Sequence, residues 1–192
     1  MIELKTPFRP ATEADAQQLA DLVNFAGEGL PLYIWESMAE KDQDPWDVGR
    51  SRQAAKAREG EIIVMDFGAG AVAGLTGYAI GAQPTPVGED LPPLFRPMVE
   101  LENRALDSWY INVLACYPEY RGRGIGSQLL HLAERIAQDQ GMRRMSLIVA
   151  SNNSGARRLY ERNDYSETAR LPCVKEGWKS DADDWVLLTK PL

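Results

Sequence analysis

An α/β domain with helices and strands intermixed is the architecture this 192-residue chain predicts, on three observations. Residues 109–160 read as strand, glycine-rich turn, helix, strand and second helix. Ahead of them, two β-rich runs at 61–66 and 71–80 flank Phe67-Gly68-Ala69-Gly70, which predicts a hairpin. Before the hairpin, residues 12–58 carry the start and stop signals of helices. Helices and strands alternating in this way pack as mixed layers around one core.

Phe8-Arg9-Pro10 is a short extended start, and Thr12-Glu13-Ala14-Asp15 resembles a capping box with Asp in place of Glu. Leu19, Leu22 and Val23 give 16–25 helical periodicity, and Gly27, Gly29 and Pro31 break it. A second short helix is expected over 32–41, and a third from Pro45, behind the cap Asp44, to Arg58, with Gly60 ending it. Residues 82–107 hold five prolines, Pro84, Pro86, Pro92, Pro93 and Pro97. They read either as a surface excursion with one helical turn near 99–106, or as a lid on the substrate side. Further strands are expected at 109–116, 145–150 and 185–189, helices at 127–138 and 153–163, and a strand or sheet edge at 165–172. Nothing repeats and no linker interrupts the chain, so 1–192 reads as a single domain.

The composition is that of a soluble globular protein, 44% apolar and 26% charged. A net charge of −7 argues against non-specific nucleic-acid binding and is compatible with a cationic substrate, although solubility alone accounts for it. Cys116 and Cys173 make no disulfide framework and lack zinc-type spacing, and Cys116, in an apolar run, reads as a small core residue. No secretory segment opens the chain and no apolar run approaches a membrane span, so the cytoplasm is the expected location. His131 falls on the polar face of its helix with Glu134, Arg135 and Gln138, and nothing clustered asks for a metal.

Arg121-Gly122-Arg123-Gly124-Ile125-Gly126 stands between a β-rich run and an amphipathic run. Such a turn cannot fill itself with side chains, so its backbone N–H groups point outward. At a helix N-terminus they form a site for phosphate or pyrophosphate. A dinucleotide fold would need a carboxylate about 20 residues on, but that strand ends Ile148-Val149-Ala150-Ser151, and Ser127 replaces the third glycine. A Walker-type loop needs a lysine, and none follows Gly124 or Gly126. A tight turn with no ligand is the plainer reading. Two arginines at a helix start count against it, because uncompensated cations disfavour that end.

At these residues the chain resembles the GNAT superfamily of acetyl-CoA-dependent N-acetyltransferases. Arg121, Gly124 and Gly126 meet the family's Gln/Arg-x-x-Gly-x-Gly/Ala signature, and Tyr117-Pro118-Glu119-Tyr120 resembles its Pro-Glu-Tyr entry. Asn153-x-x-Ala156-x-x-Leu159-Tyr160-Glu161 is similar to the family's Asn-x-x-Ala-x-x-Leu-Tyr-Glu stretch. Asp164 departs from it by taking a glycine position, where Asp tolerates a left-handed backbone better than most residues. The resemblance implies a central, mostly antiparallel sheet flanked by helices, with a parallel strand pair splayed around the acetyl-CoA site. A homodimer is a further expectation, since the family is often dimeric.

The same resemblance assigns roles. Pantetheine would lie along Leu114, Ala115 and Cys116, and pyrophosphate on the N–H groups of Arg121, Gly122, Arg123, Gly124, Ile125, Gly126 and Ser127. Asn153 would bond the pantetheine arm and Tyr160 would protonate the leaving thiolate, which its ordinary pKa of about 10 allows. Many relatives carry a base on the strand before the turn, but 109–116 has no carboxylate, so Asp107 and Glu28 are the candidates, or an ordered water chain. Alternation puts Trp109, Ile111, Val113 and Ala115 on one face of that strand, with Tyr110 and Asn112 on the other. An acceptor amine is expected between 25–38, with Tyr33 and Trp35, that second face and the proline-rich segment. The missing carboxylate also fits a different class, an acyl-CoA-binding sensor with little catalysis.

Overall fold

Helix signals and β-rich runs become six helices and seven strands in the computed structural model, which describes residues 2–192. The strands form one mixed sheet in the order β1-β2-β3-β4-β5-β7-β6. The chain divides into two compact units, Ile2–Thr76 with Val113–Leu129, and Gly77–Asn112 with Leu130–Leu192.

In the first unit β1 (Phe8–Pro10) pairs antiparallel with β2 (Ile63–Asp66), which pairs antiparallel with β3 (Ala71–Ile80) as the expected hairpin. The Asp66 carboxylate accepts from the N–H groups of Gly68 at 2.6 Å and Gly70 at 3.1 Å and so closes the turn. The capping box forms as read. Asp15 accepts from the Thr12 N–H at 2.8 Å, and a 3-10 turn over Glu13–Asp15 leads into α1 (Ala16–Ala26).

The second helix, α2 (Leu30–Met38), starts two residues earlier than expected. Pro31 is therefore not a breaker but a first-turn residue, where its missing N–H costs nothing. The third, α3 (Pro45–Arg58), has the expected bounds, and Asp44 accepts from the Trp46 N–H at 3.0 Å. Helix α3 packs against α1 and α2, and Leu19, Ala57, Ile62 and Val64 share one core cluster.

In the second unit β4 (Ser108–Cys116) pairs parallel with β5 (Arg144–Ala150) from Trp109↔Met145 to Ile111↔Leu147. Both Met145 and Leu147 are fully buried, each contributing roughly 1.5–3 kcal/mol. The start of the parallel pair is pinned by buried hydroxyls, with Ser108 and Ser146 2.7 Å apart. Ser108 already donates to the carbonyl of Ala105, so Ser146 is the donor to Ser108. Strand β7 (Asp184–Pro191) runs antiparallel between β5 and the edge strand β6 (Ser166–Pro172).

Gly77 admits the Trp109 ring and the Tyr110 carbonyl, which would both lie about 2.5 Å or less from any Cβ there. The proline-rich segment is partly helical: α4 (Arg96–Glu102) begins three residues before the expected turn, with Pro97 in its first turn. It packs against β5, β6 and β7. Helix α5 (Ile125–Asp139) follows the glycine turn, and α6 (Ser154–Glu161) is capped by Asn153.

Candidate functional site

The glycine turn lies in the first unit. After β4 a single 3-10 turn, Pro118–Tyr120, carries the chain to Arg121, whose N–H donates back to the Pro118 carbonyl at 3.1 Å. The Arg121 N–H is thus engaged within the turn. Gly122 and Gly124 take φ of 75° and 78°, and no atom crowds either position. Glycine is required there by the left-handed backbone, not by space. The Gln128 N–H donates to the Gly124 carbonyl at 3.1 Å where α5 begins.

Packing holds this turn from both sides. The Tyr117 hydroxyl donates to Asp21 of α1 at 2.7 Å, and its N–H donates to Val72 of β3 at 3.0 Å. Burial, then Asp21, pushes that hydroxyl's pKa well up. Phe67 of the hairpin stacks on Tyr120 with centroids 6.3 Å apart, and the Arg123 guanidinium lies 5.2 Å from the same ring.

On β4, Leu114 is half-buried and Ala115 buried. Cys116 is half-buried and free, not the core residue expected, because β4 ends there and the chain turns away. Burial raises its thiol pKa, and Arg121 opposes that rise. Cys173, between β6 and β7, is also free, and burial raises it to about 11.

Tyr160 and Asn153 share α6 in the second unit. The Asn153 side chain accepts from the Ala156 N–H at 3.0 Å, so its oxygen caps the helix, a role the sequence reading did not assign. Tyr160 is buried, and burial alone pushes its hydroxyl up to about 12. It stays protonated at neutral pH, and its ring packs against Tyr165 with centroids 6.0 Å apart.

Tyr110, on the second face of β4, is buried beside Tyr78 of β3, with ring centroids 5.3 Å apart. Its hydroxyl pKa is raised, first by burial and then by Glu102, Tyr78 and Tyr160. The Tyr78 hydroxyl donates to Glu102 at 3.2 Å. Neither Tyr78 nor Glu102 was singled out in the sequence. Glu102 sits in the proline-rich segment with no motif around it.

Asp107 is exposed at a left-handed turn before β4 (φ 55°), its N–H on the Gly81 carbonyl at 3.3 Å. Glu28 belongs to the first unit, also left-handed, between α1 and α2. Trp35 is buried against Trp46 and over Gly49. Asp164 adopts a φ of 66°, as its position required. His131 is exposed. Among the described residues no group of three or more His, Cys, Asp or Glu is placed to hold a metal ion, and no helix is long and apolar enough to cross a membrane.

The family model of the acetyltransferase (GNAT) family matches residues 30–165. The chain belongs to the GNAT acetyltransferase family. The match spans the glycine turn, Asn153 and Tyr160 together, and it makes the chain an acyltransferase of a family that uses acetyl-CoA.

A curated relative, the uncharacterized N-acetyltransferase YycN of Bacillus subtilis (strain 168), is 37% identical over 59 residues. That is 31% of this chain and 38% of the relative, so the match spans well under half of either protein. Among solved structures, a mosquito arylalkylamine N-acetyltransferase-like protein 5b superposes with a TM-score of 0.66 at 16% identity, covering 96% of this chain and 99% of that one. The PaiA N-acetyltransferase of Thermoplasma acidophilum, in complex with coenzyme A, superposes with a TM-score of 0.60 at 12% identity, covering 96% and 98%. At these identities the two structures show a shared fold. The mixed sheet with its parallel β4–β5 pair is that fold.

Proposed function

We propose that this GNAT acetyltransferase moves an acetyl group from acetyl-CoA to a primary amine by direct attack in a ternary complex. The observation that carries the reading is Tyr160, kept protonated by burial on the helix whose Asn-x-x-Ala-x-x-Leu-Tyr-Glu motif the family shares. Its phenol protonates the departing thiolate. The N–H groups at the start of α5, behind Gly122 and Gly124, receive the pyrophosphate. Leu114, Ala115 and Cys116 supply backbone to pantetheine, and Asn153 adds a polar contact to the same arm. Asp107 and Glu28 are the carboxylates that the sequence puts forward for the amine's proton.

The test is acetyl-CoA-dependent thiol release across polyamines, amino acids, aminoglycosides, aromatic amines and short peptides, each against a blank without amine. Selective turnover with one class supports the transfer and names the acceptor. Silence across the panel, with acetyl-CoA still raising the melting temperature, gives the chain to the sensor class instead.

A further inference from the structure

We infer that Glu102 is the base that takes the acceptor's ammonium proton, in a site walled by the rings of Tyr78 and Tyr110. The inference rests on the transfer reading above and names the form in which the acceptor arrives, a primary ammonium.

Three observations place it. First, Glu102 ends α4 half-buried, and the Tyr78 hydroxyl holds its carboxylate at 3.2 Å. Second, the Tyr78 and Tyr110 rings contact each other at 5.3 Å, and Tyr78 is 45% exposed while Tyr110 is 6% exposed. One ring therefore meets solvent and the other lies deep. An ammonium entering past Tyr78 meets aromatic faces and then a carboxylate, a combination that attracts cations more strongly as water is removed. Third, Tyr110 belongs to β4, the strand whose end the transfer reading gives to pantetheine, and it lies on the face of that strand where the sequence expects the acceptor. Asp107 is exposed.

The electrostatics agree. Burial raises the Glu102 pKa above the ordinary carboxylate value, which moves it toward the range of a general base, and the Tyr78 hydrogen bond partly opposes the rise. The titratable Tyr78 of β3 donates to it, and Tyr110 of β4 lies against the Tyr78 ring. The ionisable groups of the strands packed against α4 are engaged elsewhere. From β5, Arg144 donates to the carbonyl of Leu106. From β6 and β7, Arg170 pairs with Glu167 and Asp184, and Lys190 pairs with Glu134.

The step balances. One proton passes from the ammonium to a Glu102 oxygen and on to solvent. The freed nitrogen lone pair attacks the thioester carbonyl, forming C–N, and the C–S bond then breaks. Sulfur takes the Tyr160 phenolic proton, and the second proton lost from nitrogen restores the phenol. The sum is ammonium plus acetyl-CoA giving amide, CoA and one proton.

The experiment is the pH dependence of kcat/KM with the amine identified in the panel, for the wild type, Glu102→Gln, Tyr78→Phe, Asp107→Asn and Glu28→Gln, with acetyl-CoA affinity and Tm recorded for each. Glu102→Gln is expected to lower kcat/KM by about 100-fold or more and to abolish the acid limb, with acetyl-CoA affinity unchanged. Tyr78→Phe removes a hydrogen bond that favours the carboxylate, so it should move the acid limb to higher pH, a shift that a merely structural role would not produce. An active wild type whose limb survives in Glu102→Gln overturns this inference and leaves the transfer reading standing. So does loss of the limb in Asp107→Asn or Glu28→Gln alone. A wild type that transfers to no amine overturns both.

Discussion

Among single residues, the position of Tyr160 on its helix was legible in the sequence and the surroundings of Glu102 were not, for one physical reason. Tyr160 sits in a stretch whose spacing is set by a helix, so its partners Asn153 and Ala156 lie a turn or two away. The neighbours of Glu102 come from β3 and β4, and no local pattern encodes that meeting. Cys116 misled in the opposite way, since an apolar run does not reveal that its last residue leaves the sheet. Tyr160→Phe should cut kcat about 100-fold or more with acetyl-CoA affinity unchanged, measured by steady-state kinetics beside equilibrium binding. Because an acid acts while protonated, activity attributable to Tyr160 falls only as pH rises toward about 12. No alkaline limb below about pH 10 should therefore disappear in Tyr160→Phe.

Single elements were read best where their ends carry chemistry. Asp44 before Pro45 fixed the start of α3, and Asp66-x-Gly68-x-Gly70 closed the hairpin. Boundaries slipped at Pro31, read as a breaker, and before 99, where α4 already begins at Arg96 with Pro97 in its first turn, a place that a proline fits. The turn before α5 yields a prediction of its own. Gly124→Ala puts a Cβ at a φ of 78° with open space around it, so the expected cost is backbone strain of roughly 1–2 kcal/mol. On the proposed function, the strain bears on the N–H groups given to the pyrophosphate. The KM for acetyl-CoA should rise about tenfold, with the KM for the amine little changed, in initial-rate measurements that vary each substrate in turn.

At the scale of the whole molecule, the mixed sheet was legible because alternating periodicities and glycine signals recur along the entire chain. The acceptor was not, since the residues proposed to face it come from separate segments and share no spacing. Stability has one conspicuous tie. Arg9 of β1 bonds Asp15 at 2.8 Å and Asp66 of β2 at 2.7 Å, and Asp15 also caps the turn into α1. The Arg9 guanidinium holds the buried Asp15 carboxyl below the usual range; burial opposes this and Thr12 adds to it. A depressed carboxyl stabilises above its unfolded pKa, near 4, and that contribution disappears as pH falls through the folded value. Asp15→Asn should lose about 2 kcal/mol at pH 7 in urea unfolding, because Arg9 remains partly hydrated. The gap from wild type should close on acidification below about pH 4.

The two unpaired sulfurs make the protein its own footprinting reagent. Alkylation requires the thiolate, and burial keeps both groups mostly as thiols at neutral pH, so each reacts slowly and can be followed peptide by peptide in a mass spectrometer. With pantetheine along the end of β4, acetyl-CoA should slow adduct formation at Cys116 severalfold and leave Cys173 unchanged. Equal rates at Cys116 with and without the nucleotide would move the pantetheine off that strand. Occupancy would then be readable before any acceptor is known, and a dye that counts released CoA would see the enzyme's own sulfur as a slow, separable background.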